Sequence, residues 1–188
     1  SNEIRGMLAE FGLALPVGLA ALRRALPEIL CQQEQWDDRF ISLLCELAEE
    51  LQVLDARLER YDRRLRQQGQ EDDRIRRLQT IGGIGPVTAS ALVAAVGDAG
   101  QFKSGREMAA WLWLFPRQHS SGGKTRLGHI SKRGDSYLRT LLIHGARAVL
   151  NASGHKEDRR SKWLQSVAER RNRNVATVAL ANKNARIA

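Results

Sequence analysis

Residues 40–65 read FISLLCELAEELQVLDARLERYDRRL, and this stretch decides the fold class. Phe40, Leu44, Leu47, Leu51, Leu54, Leu58, Tyr61 and Leu65 follow one another at alternating spacings of four and three, the seam of a heptad repeat. Glu49, Glu50, Arg57, Glu59, Arg60 and Arg63 flank it with charge of both signs. A helix of this length is about 40 Å long at roughly 1.5 Å per residue. Its apolar stripe has to be covered, and no other segment carries a matching heptad run, so the spacing predicts pairing with a second copy of the chain. Upstream, Ile4, Met7, Leu8 and Phe11 have helical spacing up to Gly12. Pro16 and Gly18 then break the chain before a second helix bearing Leu19, Leu22, Leu26 and Leu30, which Pro27 is expected to kink or divide. Downstream, Gly69 and the acidic run Glu71 to Asp73 loosen the helix, dividing residues 1–73 from a second region, 74–188.

That second region opens with Ile81-Gly82-Gly83-Ile84-Gly85-Pro86, a glycine-rich turn leading into a small-residue helix from Val87 to Val96. This is the pattern of a helix-hairpin-helix, in which glycines let backbones approach and the next helix offers free N–H groups, through Gly83 and Gly85, to a phosphate. A tight interhelical turn with no ligand is the alternative. A helix from Gly105 to Leu114 follows and ends at Pro116; its Trp111 and Trp113 could stack on bases but are assigned to the core. After an irregular basic stretch from Arg117 to Asp135, Ser136 is expected to cap a helix carrying Tyr137, Leu138, Leu141, Leu142, Ala146, Val149 and Leu150 on its buried side. The last helical segments hold Trp163, Leu164 and Val167, then Val175 to Leu180. The fold is therefore mainly α, with one irregular loop whose regular form would be a short β-hairpin around Ser121. The chain stops at Ile187-Ala188 without a breaker and reads as cut rather than finished.

Composition narrows the function. Of 188 residues 43% are hydrophobic and 27% charged, which favours a folded chain over a disordered one. No run approaches the roughly 18 apolar residues of a membrane span, and the first residues lack a secretory pattern, so a cytosolic location is expected. Cys31 and Cys45 have neither a CxxC spacing nor partner histidines and are read as structural thiols. Residues 1–100 carry 12 Lys+Arg against 16 Asp+Glu, whereas residues 101–188 carry 18 against 5. A one-sided cation excess of this kind is the footprint of a polyanion-binding surface.

The stretch Arg117-Gln-His-Ser-Ser-Gly-Gly-Lys-Thr-Arg126 combines adjacent serines, paired glycines and cations. Such a loop can hold a phosphodiester against a hydroxyl. A serine needs a base, a metal or a strongly positive surround to act as a nucleophile, and Arg117, Lys124 and Arg126 supply only the last. On chemistry alone the loop reads first as a phosphate grip. His119 is a candidate base, although contact with backbone or phosphate is the simpler reading, as it is for His129.

The runs GIGPVTASALVAAVGD (83–98) and REMAAWLWLFPRQHSSGGKTRLGHISKRGDSYLRTLLIHGARAVL (106–150) resemble the C-terminal domain of the IS-one-ten family of insertion-sequence transposases, in particular the IS-eleven-eleven subgroup, relatives of the pilin-gene inverting recombinases. The resemblance is closest over residues 75–150. It implies a catalytic serine at Ser121, with Ser120 as the alternative, and a phosphoserine link to a DNA strand. It also implies DNA, and in some members an element-encoded bridge (guide) RNA, gripped by Arg117, Lys124, Arg126, Lys132 and Arg133. Family members pair this domain with a coiled coil and a RuvC-like domain whose four carboxylates bind Mg²⁺. That domain is missing here: Glu107, Asp135, Glu157, Asp158 and Glu169 are the only acidic residues beyond residue 100 and form no two-metal set. The expectation is a chain that holds no cofactor itself, binds nucleic acid at the bacterial nucleoid, forms a homo-oligomer through its coiled coil and does not cleave alone. The rival is a non-enzymatic helix-hairpin-helix module dimerised by the same coiled coil.

Overall fold

The computed structural model describes residues 1–31, 36–124, 126–130 and 133–188, and within them the chain is mainly helical. It divides into two compact units, Ser1–Arg63 and Arg64–Ala188.

In the first unit, α1 (Asn2–Glu10) and α2 (Leu19–Cys31) pack on the start of α3 (Asp38–Glu71). The core joins Ile4 and Leu8 of α1 with Leu22, Leu26 and Ile29 of α2 and Phe40, Leu44 and Ala48 of α3. Phe11, Trp36 and Phe40 close one end, with ring centroids 3.9 to 5.8 Å apart. Arg23 is ion-paired with Asp55 between α2 and α3. The expected division at Pro27 does not occur: α2 runs through it, with the proline ring on the exposed face, where a missing N–H leaves its carbonyl partner to solvent. The heptad seam is covered only in part. Phe40 and Leu44 are buried by α1 and α2, so this chain itself covers the start of the seam that spacing assigned to a second copy. Further along, Leu54, Leu58 and Tyr61 are 45%, 61% and 52% exposed.

The second unit holds α4 (Asp73–Gln79), α5 (Pro86–Val96), α6 (Gly105–Trp111), an antiparallel pair β1 (Pro116–Gln118) and β2 (Leu127–Ile130), then α7 (Ser136–Ala152), α8 (Arg159–Arg170) and α9 (Arg173–Ile187). Helix α9 occupies the middle. Its inner face is built from small residues, Ala176, Thr177, Ala181 and Ala185 around Leu180, so α6, α7 and α8 approach it closely. Gly105 marks the closest approach, since a side chain there would run into the Arg186 carbonyl. The caps follow residue chemistry. Asp72, Ser104, Asp158 and Asn172 each accept from N–H groups that begin a helix. Ser136 is not the cap of α7: Asp135 is, because one of its carboxylate oxygens reaches the N–H groups of both Tyr137 and Leu138, and Tyr137, expected on the buried side, is 59% exposed in that first turn.

Helix α6 ends three residues earlier than its apolar pattern suggested. Trp113 N–H donates to Ala110 O (2.9 Å) and Leu114 N–H to Ala109 O (3.2 Å), the paired bonds of a Schellman stop. Trp113 therefore sits at φ +52°, where glycine is usual. The reversal buries Leu112 and Leu114 but leaves Trp111 40% exposed, so the assignment of that tryptophan to the core is corrected. Periodicity could not register this, because the helix ends inside the apolar run.

Candidate nucleic-acid interface

The basic stretch is a hairpin. Pro116 pairs with Ile130 and Gln118 with Leu127, with an irregularity between them, and Ser121 bridges Lys124 across the tip. Gly122 and Gly123 lie at φ +58° and +76°, the two left-handed positions of a type I′ turn, which residues with a Cβ adopt only at a cost. The Gly-Gly pair thus reverses the chain in two residues and sets Ser121 at the first position of the turn.

The two serines differ in surroundings. Ser120 Oγ accepts from Gln118 Nε2 (2.9 Å) and more weakly from Arg126 N–H (3.4 Å), so it ties the two strands together. Ser121 is exposed, and among the described residues no side chain hydrogen-bonds its hydroxyl. His119 holds the opposite strand through its backbone, N–H to Arg126 O at 2.8 Å. Arg117, Lys124, Arg126 and Arg133 are all exposed along the hairpin and its return. Lys132, assigned to the same grip, lies outside the described residues. At the root, Gly134 packs on the α6 stop, where a Cβ would be 2.5 Å from Trp113 Cδ1, and the buried Arg139 guanidinium donates to Gly134 O at 3.0 Å.

The glycine-rich turn between α4 and α5 is held quite differently. Gly83, at φ +94°, lies against Gly145 of α7: a Cβ on Gly83 would be 2.9 Å from the Gly145 carbonyl, and one on Gly145 would run into the Gly83 carbonyl. The Gly82 carbonyl accepts from Arg160 of α8 (2.8 Å) and from the fully buried Asn184 of α9 (3.1 Å), and Asn184 Oδ1 accepts from the same Arg160 (2.5 Å). Gly83 is thus engaged in packing. Gly85 is not: it caps α5, faces open space and precedes Pro86 at the helix start. Arg160 and Asn184 carry no local sequence signal, because their partner lies 78 and 102 residues away.

Among the described residues, no three His, Cys, Asp or Glu side chains converge as a metal site. Of the carboxylates with lowered pKa values, Asp72 and Asp158 are helix caps, and Asp73, held by Arg76, lies in the first turn of α4. The Arg74 guanidinium holds Asp72 down at about 2, and the Ser161 hydroxyl lowers Asp158. No helix of the described residues is long and apolar enough to cross a membrane.

Residues 75–162, which span the glycine turn, the hairpin and α7, match the family model described as Transposase IS116/IS110/IS902 family. The chain is 54% identical over 188 residues to a "Probable family 20 transposase" of Pseudomonas aeruginosa, covering 99% of this chain and 56% of that protein. It is 44% identical over 187 residues to the transposase for insertion sequence element IS1111A of Coxiella burnetii, covering 99% of this chain and 51% of that one. With the transposase for IS1328 of Yersinia enterocolitica the identity is 37% over 190 residues, covering all of this chain and 56% of that protein. These similarities place the chain in the class of insertion-sequence transposase sequences. More particularly, the chain belongs to the IS116/IS110/IS902 transposase family, and it spans about half the length of the curated relatives it matches.

Proposed function

We propose that this chain is the strand-gripping, serine-bearing part of a DNA transposase, with Ser121 as the nucleophile. The observation that carries the reading is the hairpin tip: a hydroxyl at the first position of a Gly-Gly turn, exposed, and flanked by Arg117, Lys124 and Arg126 within a transposase-family domain. In the reaction, Ser121 Oγ bonds to phosphorus while the bond from phosphorus to one strand oxygen breaks, and the serine proton ends on that leaving oxygen. The cations stabilise the charge that builds on the phosphate. Ser120, occupied in the strand-to-strand bonds, is the weaker candidate. The described carboxylates do not fit a Mg²⁺ site, so the metal that the family resemblance implies would have to be held by residues outside this chain.

Binding is assigned to phosphate contacts by Arg117, Lys124, Arg126, Lys132 and Arg133, with Gly85 and the start of α5 as a second, helix-hairpin-helix-like contact. The same chemistry would hold a guide RNA. The bare seam at Leu54, Leu58 and Tyr61 supports assembly with a second copy, which sedimentation of a Leu58→Glu, Tyr61→Glu variant against the parent would test. The place of action is bacterial DNA, in the cytoplasm.

The test of the reading is the covalent adduct. In the full-length protein with Mg²⁺, Ser121→Ala is expected to abolish the protein–DNA adduct and leave DNA affinity within about twofold, while the 188-residue chain binds DNA without cleaving it. An adduct that survives Ser121→Ala and disappears with Ser120→Ala moves the nucleophile by one residue; survival of both changes removes the serine mechanism. Charge reversal at Lys124 and Arg126 should flatten the salt dependence of binding by roughly one unit of slope per lost contact.

A further inference from the structure

Three aromatic side chains at the root of the hairpin, Trp111 and Phe115 exposed and Trp113 half-buried, are not used by the serine chemistry or by the phosphate grip. Trp111 and Phe115 are 40% and 37% exposed. Trp113 and Phe115 stack with centroids 5.7 Å apart and planes at 21°. None of the three belongs to the core of the second unit; Trp111 meets its margin through Phe102, with ring centroids 5.7 Å apart, whereas Trp163 packs on the core itself. The reversal that sets them there is strained: Trp113 is the only residue other than glycine at positive φ among the described residues, a region that disfavours a bulky side chain. Gly134 is confined to a glycine by the same indole. The same reversal buries Leu112 and Leu114 beneath it and leaves the rings of Trp111 and Phe115 at the surface.

We propose that Trp111, Trp113 and Phe115 form a stacking site for an unpaired nucleobase beside the strand that the hairpin holds. The occupant follows from charge and shape. A base offers a flat apolar face with an anionic tether, and this patch offers flat aromatic faces between two exposed cations: Arg117, two residues beyond Phe115, and Arg133, next to the Gly134 that touches Trp113. Asp135, the neighbouring carboxylate in the chain, is turned into the N–H groups of α7. A base within a duplex is stacked on both sides and cannot reach such a face, so the site takes single-stranded or extruded nucleotides. Its place at the root of the hairpin would hold the strand open near Ser121. The proposal rests on the nucleic-acid reading above.

The test uses the whole chain and three probes of equal length: a 12-nucleotide oligo(dT), an oligo(U), and a mixed-sequence DNA duplex, each titrated at matched ionic strength with tryptophan fluorescence and anisotropy. Both single strands are expected to quench tryptophan emission, with the quenching lost in a Trp111→Phe, Trp113→Phe variant, while the duplex quenches little. Phe115→Leu, which keeps an apolar side chain and removes the ring, should weaken single-strand binding roughly 5- to 100-fold. Duplex affinity and the salt slope should stay unchanged, because no cation is removed. Phe115→Tyr should restore single-strand binding, and helical circular dichroism checks that each variant folds. If oligo(dT) alone binds in this way the occupant is a DNA strand; if oligo(U) alone does, it is RNA; either result supports the stacking site. Single-strand affinity unmoved in both Phe115→Leu and Trp111→Leu, or equal losses for single strand and duplex, overturns the site while leaving the phosphate grip standing. A change in oligomeric state in those variants with no change in single-strand binding overturns it in favour of a protein contact. Failure of all three probes to bind at low salt overturns both readings.

Discussion

Two glycine-rich reversals in the second unit look alike in sequence and behave as opposites in the fold. The Gly82-Gly83 turn is clamped by three helices that are distant in the chain: Gly145 seals its backbone, and Arg160 and Asn184 share the Gly82 carbonyl. The Gly122-Gly123 turn is held by its own two strands and by Ser120, and none of the described residues lies within 4 Å of where either Cβ would be. In the first, glycine serves the close approach of backbones. In the second it serves a left-handed turn that carries a serine into solvent. A glycine pair therefore reports a geometric need without saying whether packing or presentation created it.

The sharpest way to break this contrast is at Gly145. Gly145→Leu would drive a side chain into the Gly83 carbonyl, and a loss of at least about 3 kcal/mol in chemical denaturation is expected. A variant that unfolds at the parent's midpoint would show the clamp to be loose. Asn184→Leu keeps the volume but strips the Gly82 carbonyl and Arg160 of a buried partner, an expected cost of about 2 kcal/mol by the same measurement. The hairpin should respond differently. Gly123→Ala forces an L side chain to φ +76° and should cost about 1 kcal/mol, expressed as faster hydrogen exchange at His119 and Lys124 while the global midpoint stays put. A fall in the midpoint equal to that of Asn184→Leu would erase the distinction between the two turns.

The smallest expected effect is on pH. Asp72 and Asp158 have lowered pKa values in the fold, so their contribution is complete above the ordinary carboxylate value of 3.8 and is lost as pH falls through the lower folded values, about 2 for Asp72. Amide protection at Arg74, Arg160 and Ser161, the N–H groups these carboxylates hold, should therefore persist at 3.8 and fade as pH falls through those lower values. Fading near neutral pH would mean that the caps do not hold α4 and α8. The hairpin, whose bonds at Ser120 and His119 involve no carboxylate, should pass through the same range without change.

Most of the helical order was legible along the chain. The heptad spacing from Phe40 to Leu65 lies inside one helix, Asp38–Glu71, and the turn at Ile81 to Pro86 separates two others. The errors cluster where a neighbour outranks the local pattern. Asp135 takes the cap from Ser136 because its carboxylate reaches two N–H groups. Trp111 leaves the core because α6 stops at a Schellman turn inside the apolar run.

By itself the sequence determined what depends on neighbours within a few residues: helix periodicity, the Gly-Gly reversal, the cationic second half and the family resemblance. Packing in the fold settled which glycine turn is buried, which serine is engaged, which tryptophan reaches the surface and how much of the α3 seam the chain covers for itself. Each of these turns on contacts between residues far apart in sequence, such as Gly83 with Gly145 and Gly82 with Asn184. Helix and turn propensities act over one or two turns of chain. Burial and hydrogen-bond satisfaction are settled by whatever the fold brings alongside.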